Sequence, residues 1–291
     1  MDGPIEVTPQ LLGELPLPGP GGDKESRGHV LVVAGTPSTP GAAALSAEAA
    51  LRAGAGKLTV MTAAATATAL AVAFPEAQVE PLPTTDSGHP EAAAADDVLT
   101  HAESADAVLV GCGYSDAAAT LAFLRALVPR LSTPLVLDAA ASVYPGQEPS
   151  GLHRLEGRVV ITVNPSELAL TAGIEDGTPL ENPEDVAASV AERCRAVVLC
   201  GGTSKQIAAA DGRRWVFSGG GPTLAVSGSG DVQAGIVTGL LARGCPPERA
   251  AIWASYLHGR AGERLATEVG PVGSLAREQV PHIPVVLREV H

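Results

Sequence analysis

The sequence predicts an α/β fold with a mostly parallel central sheet and helices on both faces. Short runs of β-branched and aliphatic residues alternate with stretches rich in Ala and Leu that have helical length, an order typical of successive βαβ units. The short runs are apolar at consecutive positions, as expected of strands covered by helices on both sides. Only 3% of the 291 residues are aromatic, so Ala, Val and Leu must build the core.

The first half of the chain gives four strands and three helices. Pro and Gly in residues 81–90 predict a loop. The strands are expected at 29–35, 57–62, 106–111 and 135–140, and the helices at 41–54, from 63 to about 74, and at 116–131.

The second half continues the same alternation and then changes. Strands are expected at 158–163 and 196–200, helices at 165–171, 183–193, 232–243 and 247–266, and a hairpin at 206–217 that turns at Asp211-Gly212. Residues 1–22 are rich in Pro and Gly and predict an irregular arm, which leaves residues 23–291 as a single domain.

Composition excludes several classes of function. The formal net charge is −13, which disfavours nucleic acid and anionic membrane surfaces as partners. Neither a signal peptide nor an apolar run of about 18 residues is present. The four cysteines have no CxxC spacing, which argues against a zinc site or a disulfide framework. We therefore expect a soluble, cytoplasmic protein.

The segment 219–244 is the most informative for chemistry, because a glycine-rich turn leads directly into an apolar helix. Unpaired N–H groups at a helix amino terminus bind anions, so Gly228, Ser229 and Gly230 are a candidate anion hole for a phosphate. Asp231 follows at once. It is either the helix cap or a base that accepts a hydroxyl proton, and the local pattern favours neither.

Other polar residues have ordinary structural explanations as well as functional ones. Asp138 ends a strand at the edge where ligands bind and could reach a metal through water. Glu167 lies in the first turn of a helix, where an acid favours capping. His258 fits a packed or interface position, and Cys200 fits a buried, unreactive thiol.

Taken together, these segments resemble the ADP/ATP-dependent NAD(P)H-hydrate dehydratases, which are related to ribokinase-like small-molecule kinases. The family hallmark is a Gly-(Ser/Thr)-Gly-Asp turn that opens a helix, which is Gly228–Asp231 here. The resemblance extends from about Asp23 to Val290 and implies a ribokinase-like fold. The matching segments are 23–60, 110–116, 135–141, 161–173, 199–212, 256–266 and 283–290.

The resemblance implies a lyase that repairs hydrated NADH and NADPH, with ADP or ATP as co-substrate and Mg²⁺ as cofactor. Asp231 would take the proton of the ring hydroxyl as that oxygen attacks the terminal phosphoryl group, and loss of phosphate would restore the dihydronicotinamide. The family also implies a homo-oligomer, by resemblance a tetramer. It assigns the nucleotide to Gly201, Gly202, Thr203, Ser204 and Gly230, and the hydrate to Gly41, Ala42, Gly113, Asn164 and Asp231, and leaves the metal ligands unknown.

Departures from the family pattern fall in the expected pocket. Asn164 stands where the family commonly has His, Cys200 where it has Lys, and Cys112 where it has Pro. Lys205 could supply the missing charge, but an exposed surface lysine fits the sequence equally well. Two alternatives therefore stay open, a kinase of a small alcohol or vitamin precursor and a catalytically silent paralogue that binds nucleotide.

Overall fold

The computed structural model describes residues 3–174 and 180–290. Within them, ten strands form one sheet in the order β1-β10-β9-β8-β7-β6-β5-β2-β3-β4. All neighbours are parallel except β9, which is antiparallel to both β8 and β10. The strands are β1 Ile5–Glu6, β2 His29–Val33, β3 Lys57–Ala63, β4 Gln78–Leu82, β5 Ala107–Val110, β6 Leu135–Asp138, β7 Val159–Val163, β8 Val197–Cys200, β9 Lys205–Ala208 and β10 Arg214–Phe217.

Helices cover both faces of the sheet. The α-helices are α1 Pro9–Glu14, α2 Pro40–Arg52, α3 Ala64–Ala73, α4 Ala94–Ala102, α5 Ala117–Leu127, α6 Val143–Gln147, α7 Pro165–Ala172, α8 Pro183–Cys194, α9 Ser229–Ala242, α10 Pro247–Glu268, α11 Ala276–Gln279 and α12 Ile283–Val290. Short 3-10 turns lie at Val128–Arg130, Ala139–Ser142, Pro149–Leu155, Pro222–Leu224 and Val280–His282. None of the helices in the described ranges is both long enough and apolar enough to cross a membrane.

Two apolar layers sandwich the sheet, which confirms the predicted α/β architecture. Successive residues of β2 alternate between them: Val30 and Val32 pack in the layer of α2, α9 and α10, whereas Leu31 and Val33 pack in the layer of α4, α5 and α8. All four side chains are fully buried. Strands buried on both faces read as continuous apolar runs, which is why the pattern was visible in the sequence.

Close packing of α9 against α2 fixes where the glycine-rich turn lies. A Cβ at Gly235 would come within 2.2 Å of the Ser46 carbonyl oxygen, and one at Gly239 within 2.3 Å of the Ala50 carbonyl oxygen. Glycine at these two positions therefore lets the helix backbones touch. The contact holds the amino terminus of α9 at the carboxyl edge of the parallel strands.

The predicted irregular arm differs from the structure. Met1 and Asp2 lie outside the described residues, but β1 pairs with β10 at the sheet edge and α1 packs Leu12 fully into the core. The Trp253 indole N–H donates to the Leu15 carbonyl at 2.7 Å. A strand of two residues and a helix of six are too short to give a periodic pattern, and the surrounding prolines conceal them.

Sequence reasoning also missed β4 and α4. Pro81 lies inside β4, and Pro normally argues against a strand, but β4 is the edge strand, where a missing N–H is tolerated. The hairpin expected at 206–217 is confirmed by the antiparallel pairing of β9 with β10.

Candidate active site

A cavity of about 880 Å³ opens at the carboxyl ends of β6, β7 and β8 and at the amino terminus of α9. This is the edge at which open α/β sheets bind ligands. The cavity brings together most of the site residues expected from the sequence, namely Asn164, Gly201, Gly202, Thr203, Gly228, Ser229, Gly230 and Asp231.

Four of the expected site residues lie outside this lining. Gly41 and Ala42 are in the first turn of α2, and a Cβ on Gly113 would meet that of Ala42 at 2.7 Å, so these three form a tight group after β2 and β5. Ser204 accepts a hydrogen bond from the Gln206 amide at 2.9 Å beside the cavity. Their assignment to substrate or nucleotide stays a prediction.

The amino terminus of α9 has the geometry of an anion site. Gly228 is the N-cap residue with φ +90°, and a Cβ there would come within 2.6 Å of Leu45 Cδ1, so both backbone and packing favour glycine. The Ser229 N–H donates to the Val226 carbonyl at 3.2 Å. The N–H groups of Gly230 and Asp231 have no acceptor within the helix and are free to bind an oxyanion.

Asp231 is the third helical residue of α9, so Gly228 and not Asp231 caps the helix. Its carboxylate is half-buried in the cavity wall. Burial raises the pKa of Asp231 to about 6, with a smaller contribution from the negative charge of Glu167. A carboxylate with such a pKa is ionised at neutral pH and has a higher proton affinity than an exposed one, which suits a general base.

Asp138, Cys112 and Asp231 form a cluster whose ligand atoms all lie within 4.8 Å of one another. The Cys112 thiol donates to Asp138 Oδ2 at 3.2 Å and the Thr162 hydroxyl donates to Oδ1 at 2.7 Å. Burial, and then the charge of Asp231, raise the pKa of Asp138 to about 7. Two carboxylates this close share charge and protons rather than titrating independently.

Donor chemistry allows Mg²⁺ in this part of the cavity. Mg²⁺ takes oxygen ligands and keeps several waters, and the Asp138 carboxylate is an oxygen donor that lines the cavity. Both of its oxygens already accept hydrogen bonds, which favours contact through water. A protonated thiol is a poor magnesium ligand, and burial raises the pKa of Cys112 well above its ordinary value.

Asn164 and Glu167 cap α7, as expected for Glu167. Asn164 Oδ1 accepts from the Glu167 N–H and Glu167 Oε2 accepts from the Asn164 N–H, both at 2.9 Å, a complete capping box. The amide NH₂ of Asn164 therefore remains available to a ligand in the cavity. Burial raises the pKa of Glu167 to about 7.

Lys205 and His258 join the site in a way that the sequence did not reveal. Lys205 is only 3% exposed and lines the cavity, so its interpretation as a surface lysine is wrong. His258 is packed, as expected, but it too reaches the cavity and contacts Lys205 Nζ at 2.9 Å. The one available signal was that the chain has only three lysines.

Cys200 lies at the end of β8 with its side chain buried. Burial raises the pKa of its thiol to about 12, so the thiolate is scarce at neutral pH. This agrees with an unreactive structural cysteine.

The sheet order and a cavity built around an acid and a helix amino terminus define an α/β protein suited to phosphoryl chemistry. A family model for NAD(P)H-hydrate dehydratase matches residues 30–284. The ADP-dependent (S)-NAD(P)H-hydrate dehydratase of Xanthomonas campestris pv. campestris is 42% identical over 282 residues, which cover 97% of this chain and 95% of that protein. The chain therefore belongs to the NAD(P)H-hydrate dehydratase family.

Solved structures show the same fold. A ribokinase-like superfamily protein from Enterococcus faecalis V583 superposes with a TM-score of 0.79 at 24% identity, covering 100% of this chain and 97% of that one. The ADP/ATP-dependent NAD(P)H-hydrate dehydratase of Bacillus subtilis, co-crystallised with ATP/Mg²⁺, superposes with a TM-score of 0.80 at 24% identity and covers all of both chains. The expected ribokinase-like fold is thus confirmed. The chain also spans about half the length of bifunctional NAD(P)H-hydrate repair enzymes that it matches.

Proposed function

We propose that this protein is a carbon–oxygen lyase that dehydrates hydrated NADH and NADPH at the expense of ADP or ATP. The observation that carries the proposal is the placement of Asp231 beside the free N–H groups at the start of α9, in a cavity of about 880 Å³. Family membership over residues 30–284 supports the same reaction class. The relative that is 42% identical carries this activity in its name.

In the proposed reaction, Asp231 accepts the proton of the ring hydroxyl. The hydroxyl oxygen forms a bond to the terminal phosphorus of the nucleotide, and the bond from that phosphorus to its bridging oxygen breaks, releasing AMP from ADP or ADP from ATP. The ring C–O bond then breaks with phosphate as the leaving group, the neighbouring ring carbon loses a proton to water, and the new double bond restores the dihydronicotinamide. Phosphate leaves far more readily than hydroxide, which is why a nucleotide is consumed.

The N–H groups of Gly230 and Asp231 face the developing negative charge. Donors that are already oriented in a shielded cavity stabilise a transition state without reorganising. Gly201, Gly202 and Thr203 line the same cavity after β8, where their backbone allows close approach of the nucleotide. Asn164 offers its amide NH₂ to the hydrate from the start of α7.

Magnesium is part of the proposal because the cavity contains three carboxylates, Asp138, Glu167 and Asp231, and the nucleotide brings further negative charge. A bound Mg²⁺ ion would neutralise phosphate charge, with Asp138 holding it through water.

A homo-oligomeric assembly and a cytoplasmic location are also proposed. The resemblance supports the assembly, and the four free cysteines support a reducing compartment.

The decisive experiment follows absorbance at 340 nm after purified protein is mixed with NADH hydrate, Mg²⁺ and either ADP or ATP. A nucleotide-dependent rise, with one inorganic phosphate released per NADH formed, is the expected result. Testing ADP and ATP in separate cuvettes shows which nucleotide is consumed. A flat trace from folded protein would refute the proposal, and a stable phosphorylated alcohol in a substrate screen would establish a kinase in its place.

A further inference from the structure

The side-chain amine of Lys205 is buried and has no carboxylate partner among the described residues. Its side chain is 3% exposed, and Nζ lies 2.8 Å from Gln233 Oε1 and 2.9 Å from His258 Nδ1. Among residues 3–174 and 180–290, no carboxylate forms an ion pair with it. Burying an unpaired ammonium costs several kcal/mol, and an anion bound beside the amine would offset that cost.

The position of the amine indicates which anion. Lys205 directly follows residues 201–204, the glycine-rich loop after β8. On its other side His258 contacts Lys205 through Nδ1, while its Nε2 lies 2.9 Å from Ser229 Oγ at the start of α9. The amine therefore lines the same cavity as the predicted nucleotide loop and is joined through His258 to the start of the anion site, so the phosphates of a nucleotide that spans the two are the anions it would meet.

The hydrogen-bond network orients the amine but does not saturate it. An ammonium group has three protons. Gln233 Oε1 accepts one of them, and His258 Nδ1 accepts a second when the imidazole carries its proton on Nε2. His258 is held from behind by Gln279 Oε1, 3.0 Å from Nε2. One proton of Lys205 remains for a group in the cavity.

Charge balance in the cavity agrees with this assignment. Of the described residues that line it, Lys205 is the only lysine or arginine, and it stands against the carboxylates of Asp138, Glu167 and Asp231. A nucleoside diphosphate adds further negative charge. Among the described residues of the lining, Lys205 is thus the one lysine or arginine side chain that a phosphate can meet.

We propose that Lys205 contacts the terminal phosphates of a bound nucleoside di- or triphosphate, and that Gln233 and His258 position its amine for this contact. The inference rests on the proposed function, because it takes the nucleotide as co-substrate. It adds a cation to the site at a position other than the lysine that the family commonly has at residue 200.

The test compares ADP with AMP, since AMP lacks the terminal phosphate. Calorimetric affinities are measured for the wild-type protein, for Lys205→Met and for Lys57→Met, an exposed lysine paired with Glu25. Losing a hydrogen bond to a charged group weakens binding by roughly 10- to 100-fold, so we expect that loss for ADP in Lys205→Met. We expect AMP affinity to stay within about 2-fold. Lys57→Met should leave both affinities unchanged, because Lys57 does not line the cavity.

A second variant keeps the test decisive if Lys205→Met does not fold. Gln233→Leu leaves the amine in place but removes one of its acceptors, and we expect it to lower the preference for ADP over AMP while AMP affinity is retained. Equal losses for ADP and AMP, or an unchanged ADP-to-AMP affinity ratio in the folded variants, would overturn the proposal for Lys205. A different result would refute the proposed function, namely a wild-type protein that neither binds nucleotide nor produces NADH.

Discussion

Replacing Asp231 with asparagine should make the protein more stable and nearly inactive. Asparagine has almost the same shape as aspartate, but it cannot accept the hydroxyl proton or carry the charge that burial disfavours. Loss of a general base lowers turnover by about 10²-fold or more. The two effects have one origin, the carboxylate held in the cavity wall beside Asp138 and Glu167.

The size of the stability gain follows from the pKa. Burial raises the pKa of Asp231 from 3.8 to about 6, and one pKa unit corresponds to about 1.4 kcal/mol, which sets an upper limit of roughly 3 kcal/mol. Asp231 is only half-buried, so solvent screens part of this penalty. We expect a net gain of roughly 1–2 kcal/mol, or a melting temperature higher by about 2–6 °C.

The gain depends on pH with a definite sign. A carboxyl group whose pKa is raised by folding destabilises the native state when it is ionised in both states, above the folded pKa of about 6. Below the unfolded value of 3.8 it is protonated in both states and has no effect. Asp231→Asn should therefore melt higher than wild type at about pH 8 and at the same temperature at about pH 3.5.

Thermal unfolding at both pH values and turnover at 340 nm measure the two effects on one preparation. Asp86→Asn, at an exposed loop position, is the matched control and should change neither. Retained turnover in Asp231→Asn would remove Asp231 from the role of base. A lower melting temperature at about pH 8 would show that the carboxylate is structurally favourable and that the pKa argument is wrong.

Three further outcomes are expected. Gly228→Ala should lower turnover and stability, because φ is +90° and the new Cβ would collide with the Leu45 side chain. The control Gly230→Ala should fold normally, because the space around that position is open. Equal melting temperatures for the two variants would contradict this. Asn164→Ala removes the α7 cap and should cost about 1 kcal/mol in a denaturant titration, with Asn164→Asp, which can still cap, as its stable counterpart. Alkylation of native protein should leave Cys200 unmodified, since burial raises its pKa to about 12, and rapid labelling before unfolding would refute its burial.

Most of the fold was predictable because its signals are local. The parallel strands are buried on both faces, so each one is an uninterrupted apolar run such as the one at β2, and the turn at Asp211-Gly212 marks the hairpin. The two missed strands, β1 and β4, lie at the edges of the sheet. An edge strand has few partners and tolerates Pro81, so its sequence carries little of the pattern by which strands are recognised.

The candidate site was likewise predictable only where its residues are close together in the sequence. Gly228–Asp231 is continuous in the sequence, and its chemistry could be inferred from four residues. The Lys205 network could not, because it joins residues that are 53 and 28 positions away from Lys205 and that lie on separate helices, α9 and α10. Only the packing of those helices against β9 shows that Lys205 points inward.

The ionisable groups of the cavity wall share one electrostatic property. Burial raises the pKa values of Asp138, Glu167 and Asp231 and lowers that of Lys205 to about 7, so every ionisable group in the wall is moved toward its neutral form. A site that holds its acids partly protonated and its amine partly neutral can receive an anionic nucleotide with Mg²⁺ at a smaller electrostatic cost than fully ionised carboxylates would impose. A bound phosphate would favour the ammonium form of Lys205, and a bound cation would favour ionised Asp138. If the nucleotide binds as proposed, Lys205 supplies from the neighbouring strand β9 the positive charge that the family commonly places at residue 200.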